Sequence, residues 1–271
     1  MPTRPDLQLA ADENLAAHAA WATSHLEGAH TLQDNELVLV DSGMPCDTFN
    51  FVCRARLASA TAPRRVQESI AHFRAAGRPF SWWLGPGYAP ACLPDLLRGA
   101  GLAQADTEVA MALDLAALPA AGPDVPGLEI RRVCTTADLR AFAAIAAANW
   151  APPDPWVLRF YERAAAVLLA ADAPRRLYLG AVAGTPVATA EATEGGGLIG
   201  LYNISTRPDF RRRGIGLAMT HAPLAAAARE GHTTAILQAA DAGARVYARL
   251  GFRPFGTITE FKPAAALVGG P

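Results

Sequence analysis

The sequence predicts an α/β protein made of two similar halves, and three observations carry that reading. Strand-like apolar runs alternate with segments of helical periodicity along most of the chain. A stretch dense in proline and glycine, AALPAAGPDVPG from Ala116 to Gly127, divides it near the middle. The order of elements before that stretch resembles the order after it: RVQESIAHFRAAG answers LAAAAREG and LLRGAGL answers YARLGF, aligning Gly77 with Gly231 and Gly101 with Gly251. The expected division is a first domain over 1–117, a linker over 118–126 and a second domain over 127–271.

In the first half the patterning predicts a helix over 14–27, strands over 36–41 and 48–57, and a helix over 64–76. A strand over 80–84, a helix over 93–98 and a strand over 108–115 complete it. Trp82 and Trp83 are adjacent on a strand and face opposite sides, so one ring is expected in the core. In the second half, LEIRRVC (128–134) reads as a strand, and Thr136 and Asp138 open a helix to Asn149 that the APPDP run at 151–155 ends. A helix over 156–170 leads to two β-rich runs around Gly184-Thr185-Pro186, read as a hairpin. LIGLYNIST (198–206) is a buried strand, followed by a helix over 214–230, which Pro223 is expected to kink or loosen. A strand over 233–239, a short helix in AGARVYARLG and a strand near 255–261 close the order.

Composition points to a globular, soluble protein: 51% apolar, 18% charged, net charge -1. That balance argues against a nucleic-acid binder, which carries a basic surplus. Lys262 is the only lysine, so arginine is the general basic residue here and a run of arginines means less than usual. The four cysteines and six histidines fall at no metal-ligand spacing, so no metal is expected and the thiols read as reduced. Asp6, Asp12 and Glu13 stand where a signal peptide needs apolar residues, and no run is long enough for a membrane span. A cytoplasmic protein with no membrane partner, monomeric or homodimeric, is expected.

The informative segment is RPDFRRRGIGLAMT, 207–220. A Gly-x-Gly between strand and helix lets backbone N–H groups converge on an anion at the helix N-terminus. It is not the dinucleotide fingerprint, because Met219 occupies the third glycine position, and it lacks the Gly-Lys-Ser/Thr of nucleotide hydrolases. What remains is Arg-x-x-Gly-x-Gly at Arg211, Gly214 and Gly216, with Tyr247 and Leu250-Gly251-Phe252 about thirty residues later.

Those two motifs, in that order after that strand, resemble the GNAT superfamily of acyl-CoA-dependent N-acetyltransferases. The resemblance covers 128–262 in element order. It implies two GNAT-like domains, each a mixed, largely antiparallel twisted sheet flanked by helices, with acetyl-CoA as co-substrate. The backbone of Arg211, Arg212, Arg213, Gly214, Ile215 and Gly216 would hold the pyrophosphate, and Asn203, Ile204, Ser205 and Thr206 would bind pantetheine and polarise the thioester carbonyl. Tyr247 matches the position of the acid that protonates the leaving thiolate. A base early in the strand is missing, since 198–200 are Leu, Ile and Gly; Glu191 and then Glu194 are the nearest carboxylates, and Glu191 is taken as the catalytic candidate. Ala240 stands where many relatives have Asn or Ser. Trp150, Trp156 and Tyr161 flank the region that forms part of the acceptor cleft in the family. With the paired glycines aligned, Ala60 and Ala62 fall opposite Gly214 and Gly216, so the first half resembles a degenerate copy of structural role. The implied function is acetyl transfer to a primary amine, on a small molecule or peptide; the alternative is a non-catalytic acyl-CoA-binding or interaction protein.

Overall fold

The computed structural model describes residues 4–264. Packing divides the chain into two units: one from Met111 to Pro254, the other comprising the chain up to Ala110 together with residues from Phe255 onward. This differs from the division expected at 118–126. That stretch lies inside the second unit, where His221 Nε2 sits 2.7 Å from the Pro119 carbonyl oxygen and Val125 lies against Gly214. Its prolines suit a strap that needs no ladder partners. The final strand, expected in the second half, belongs by packing to the first unit.

The first unit begins with helix α1 (Arg4–Thr23), which starts ten residues before and ends four residues before the helix expected over 14–27. Asp12 and Asn14 do not cap it; both are buried in its middle. Strands β1 (His30–Gln33), β2 (Val38–Asp41), β3 (Asn50–Cys53) and β4 (Ser81–Leu84) follow, with helix α2 (Ala62–Ala75) between the last two. Helix α3 (Leu93–Gly99) leads to the long strand β5 (Leu102–Asp114). β1 was not anticipated, because three of its four residues are exposed and it has no apolar alternation. The sheet order in this unit is β1-β2-β3-β4-β11-β5, where β11 is Arg253–Pro263. Only the β3/β4 pair of those whose register is defined is parallel. Phe73, Trp82, Leu93, Leu97 and Phe261 fill the core, and Trp82 is the buried member of the tryptophan pair.

The second unit takes β5 from Met111 and adds β6 (Leu128–Arg132), α4 (Thr136–Ala147), α5 (Pro155–Arg163) and α6 (Ala165–Leu168). The single helix expected over 156–170 is thus broken at Ala164. β7 (Arg175–Val182) and β8 (Thr185–Gly195) form the expected hairpin, its turn built on two left-handed residues, Ala183 and Gly184. β9 (Leu198–Thr206), α7 (Ile215–Arg229), β10 (Thr234–Ala239) and α8 (Asp241–Ala248) complete the unit. The order is β5-β10-β9-β8-β7-β6, antiparallel from β9 outward and parallel between β10 and β9. α7 continues through the buried Pro223 as one helix.

The repeat seen in sequence is real in geometry. Gly77 and Gly231, the paired glycines, both adopt left-handed φ (61° and 93°) just past α2 and α7, and in each case the next N–H bonds back to the final turn. Both copies also place a left-handed non-glycine residue beside the equivalent strand, Arg54 after β3 and Asn203 within β9. From there the copies diverge. α2 starts eight residues after Arg54, α7 twelve after Asn203, so the first copy lacks four residues where the glycine loop lies in the second. It is longer between β4 and α3, eight residues against one between β10 and α8. That extra chain returns to the segment after β3: Ala89 bridges Arg56, with Leu57 N–H donating to Ala89 O and Ala89 N–H to Ala55 O.

Beneath this closure lies Asp12. Neither carboxylate oxygen has a hydrogen-bond partner of ordinary geometry among the described residues, and a Cβ on Gly85 would overlap Oδ1. Burial pushes its carboxyl up to about 7, more than the Gly87 N–H and the Arg56 charge pull it down. The native state therefore holds a proton that the unfolded chain has already lost, and stability falls as pH rises from about 4 through about 7. Asp12→Asn removes that dependence. We expect it to stabilise the protein by about 2–4 kcal/mol above pH 7, the gain shrinking toward pH 4, in urea unfolding at a series of pH values; identical pH slopes for variant and wild type would contradict this.

Candidate functional site

β9 organises the site. It pairs with β8 along its length, Leu198 against Gly195 through Thr206 against Ala188. On its other side it pairs with β10 at Ile199, Gly200 and Leu201, and the described pairing ends there. The register with β8 shifts between Thr189 and Glu191, and the bulge falls at Asn203, whose φ is 51°.

After β9, a single 3₁₀ turn (Pro208–Phe210) leads into the loop. Arg212 (φ 60°) and Gly214 (φ 82°) are left-handed, and Gly214 is the N-cap of α7 with no side-chain capping bond. Two left-handed residues two apart turn the loop sharply toward the α7 N-terminus, whose N–H groups and positive dipole end face it. The loop opens onto a cleft of about 690 Å³ lined by Ile204, Ser205 and Thr206 of β9, by Arg211, Arg212, Gly214 and Gly216, and by Tyr247 of α8.

The three arginines divide. Arg211 Nε donates to the Thr206 carbonyl at 2.9 Å, fixing its guanidinium at the cleft, and Arg212 also lines it. Arg213 is turned away: its Nη2 donates to Asp209 O at 2.8 Å and its guanidinium lies 5.1 Å from the Phe210 ring centre. Ile215 is buried in the core, which leaves it only a backbone role. Asn149, Phe210, Leu217, Gly243, Val246 and Arg249 also line the cleft. Sequence reasoning missed these, although Val246 and Arg249 flank Tyr247 on its own helical turn. Asn149 is brought in by a bond from Ser205 Oγ to its Oδ1 at 2.9 Å.

Glu191 does not enter the cleft. It is completely buried, and Arg175 clamps it with Nε to Oε1 at 2.8 Å and Nη2 to Oε2 at 2.9 Å. Thr193 Oγ1 donates to Oε1 at 2.8 Å and Asn203 Nδ2 to Oε2 at 3.0 Å. A carboxylate engaged by four donors and paired with a buried guanidinium is not available to accept a proton, which corrects the catalytic reading of this residue. Burial is the largest single influence on Arg175 and opposes its charge, but the Glu191 charge and hydrogen bond together with the neighbouring Tyr161 and Tyr202 outweigh it and hold the guanidinium protonated. Glu194 is half-exposed, near Arg176 and His232. The described cleft lining holds no carboxylate or histidine.

Asn203 is exposed, and its side chain is directed to Glu191 and, at 3.3 Å, to Tyr161 Oη rather than into the cleft. Tyr161 is buried among Phe142 and Phe160, while Trp150 and Trp156 are 45% and 36% exposed. A second cavity of about 420 Å³ lies between α4 and α5, floored by Leu139, Ala143 and Leu158, with Arg140, Arg159 and Glu162 among its lining. Ala240 caps α8 without a side-chain bond. Among the described residues no helix is long and apolar enough to cross a membrane.

Residues 120–244 match the family described as acetyltransferase (GNAT) domain. Among solved structures, a GCN5-related N-acetyltransferase from Kribbella flavida is similar over 95% of this chain and 97% of its own, with 23% identity and a TM-score of 0.67. One from Sphaerobacter thermophilus shares 20% identity over 96% of this chain and 93% of its own, TM-score 0.59. A tandem GNAT protein from the clavulanic acid biosynthesis pathway aligns over 98% and 95%, with 16% identity and TM-score 0.57. A search of curated proteins finds no match. These likenesses extend across both halves and give the fold: mixed α/β sheets flanked by helices, as in tandem GNAT structures.

Proposed function

We propose, from the premise that residues 120–244 are a GNAT acetyltransferase domain, that this half of the chain transfers an acetyl group from acetyl-CoA to a primary amine. The observation that carries the placement is the coincidence, at one cleft, of the left-handed Arg212–Gly214 loop at the α7 N-terminus with the last residues of β9, Ile204 to Thr206, beyond the described β9/β10 pairing. The residues fit an acyl-CoA. Loop N–H groups and the α7 dipole suit the pyrophosphate, Arg211, Arg212 and Arg249 supply positive charge, and Ile204 to Thr206 offer backbone groups to pantetheine.

In this reading the neutral amine attacks the thioester carbonyl, and backbone N–H groups near the bulge stabilise the developing oxyanion. Tyr247 gives its proton to the departing thiolate. The amine's proton leaves through water beside Ser205 and Asn149, because the lining offers no stronger base. The exposed Trp150, next in sequence to Asn149, and Trp156, in the first turn of α5, favour an acceptor with apolar or aromatic surface. The first unit, with its shortened loop and its Arg56–Ala89 bridge, lacks the loop that forms this site in the second, and we assign it a structural role.

The test is calorimetry with acetyl-CoA followed by thiol release over a panel of primary amines. Tyr247→Phe is expected to lower kcat by on the order of 100-fold while leaving acetyl-CoA affinity within about twofold; an unchanged rate would remove the acid role. The absence of a carboxylate from the described lining favours one second reading, a non-catalytic acyl-CoA-binding protein. Binding without turnover on the whole panel would support it.

A further inference from the structure

The Arg175–Glu191 pair has a peculiar location. Both side chains are almost wholly buried, 3% and 0% exposed, in a sheet whose other inward residues here are Leu, Ala and Thr. Buried ion pairs are poor stabilisers beside apolar residues of equal volume, so what this pair holds in place is informative. It holds Asn203, the bulge residue. Asn203 is exposed, and core packing therefore does not fix it. Its side chain is tied to Glu191 Oε2 at 3.0 Å and to Tyr161 Oη at 3.3 Å, and its carbonyl accepts from Thr189 Oγ1 at 2.8 Å. Burial and the Glu191 charge push the Tyr161 hydroxyl up, so it stays neutral in this network. Directly after Asn203 come Ile204, Ser205 and Thr206, which line the cleft.

We propose that the buried Arg175–Glu191 pair, acting through Asn203, positions the β9 bulge and so sets the direction of the backbone N–H groups that polarise the thioester carbonyl. Glu191 and Arg175 are thus positioning residues that touch no substrate. A left-handed φ at a non-glycine residue is uncommon, and Asn is among the residues that adopt it most readily. The three hydrogen bonds select that conformation from the alternatives open to an exposed strand residue. This proposal rests on the acetyl-CoA reading of the cleft, and its test separates the two.

The full-length protein is mixed with acetyl-CoA carrying ¹³C at the thioester carbonyl, and the carbonyl band is followed by difference infrared spectroscopy alongside calorimetry. In the wild type the band should move to lower wavenumber on binding. Thr189→Val removes the hydroxyl that holds the bulge carbonyl, and Asn203→Gly keeps the left-handed backbone accessible while removing the link to Glu191. Both variants leave the glycine loop intact, so affinity should stay within about threefold of wild type. The band shift should fall by half or more, and kcat by roughly tenfold or more at unchanged KM for acetyl-CoA. A full wild-type shift in both variants overturns the proposal. A wild type that does not bind acetyl-CoA overturns the functional reading instead, and the proposal with it.

Discussion

Gly214→Asp is expected to abolish measurable acetyl-CoA binding, a loss of more than about 100-fold, because it sets a carboxylate against the place proposed for the pyrophosphate. Gly214 has φ 82°, and a Cβ there would meet Val125 Cγ2 at 3.3 Å. Any side chain thus brings some strain, and a bare loss of binding would not isolate the charge. Gly214→Asn supplies the comparison: Asn and Asp tolerate left-handed φ comparably and have nearly the same volume. The Asn variant should lose about tenfold or less, and the gap between the two reads the anion. Equal losses would mean that the loop matters as a turn and not as a phosphate cradle.

Glu191→Leu is expected to cost about 3–5 kcal/mol of stability, since it leaves the Arg175 guanidinium charged, buried and unpaired. Urea unfolding measures this directly. Adding Arg175→Met should recover most of the loss, because the buried charge goes with its partner. A single-variant cost below about 1 kcal/mol would show that water reaches the pair and that it is not the closed contact described. The recovered double variant also bears on positioning: stable again, yet without the carboxylate that holds Asn203, it should still show a diminished carbonyl shift.

The parts of this protein that were legible in its sequence are those whose chemistry is local. The glycine loop, the strand before it and the tyrosine helix after it lie within 198–252, and each is specified by residues next to one another. The paired glycines announced the repeat for the same reason, since a left-handed residue past a helix end is a local requirement. Glu191 was misread because its environment depends on register. Counted from the Val182–Thr185 hairpin end without interruption, Glu191 would stand opposite Arg176. The register shift at Gly180/Ala181 instead sets it opposite Leu177, on the same face as Arg175. Nothing adjacent in sequence signals that shift.

Other misreadings share this cause. The helix expected over 14–27 runs instead over Arg4–Thr23, with Asp12 and Asn14 buried in its middle by tertiary packing. The 116–127 stretch has the composition of a linker, yet its contacts with α7 make it part of the second unit. Closure of the first copy was visible only as two alanines opposite two glycines. Its physical form, a shortened loop with chain from beyond β4 bonded back onto the segment after β3, required the structure.

The central claim is one acetyl-CoA site per chain, at the Gly214 loop. Titration calorimetry with acetyl-CoA on the full-length protein and on Gly214→Asp tests it most directly. The account predicts one equivalent bound per chain by the wild type and none by the variant; two equivalents in the wild type, or one retained in Gly214→Asp, would contradict it.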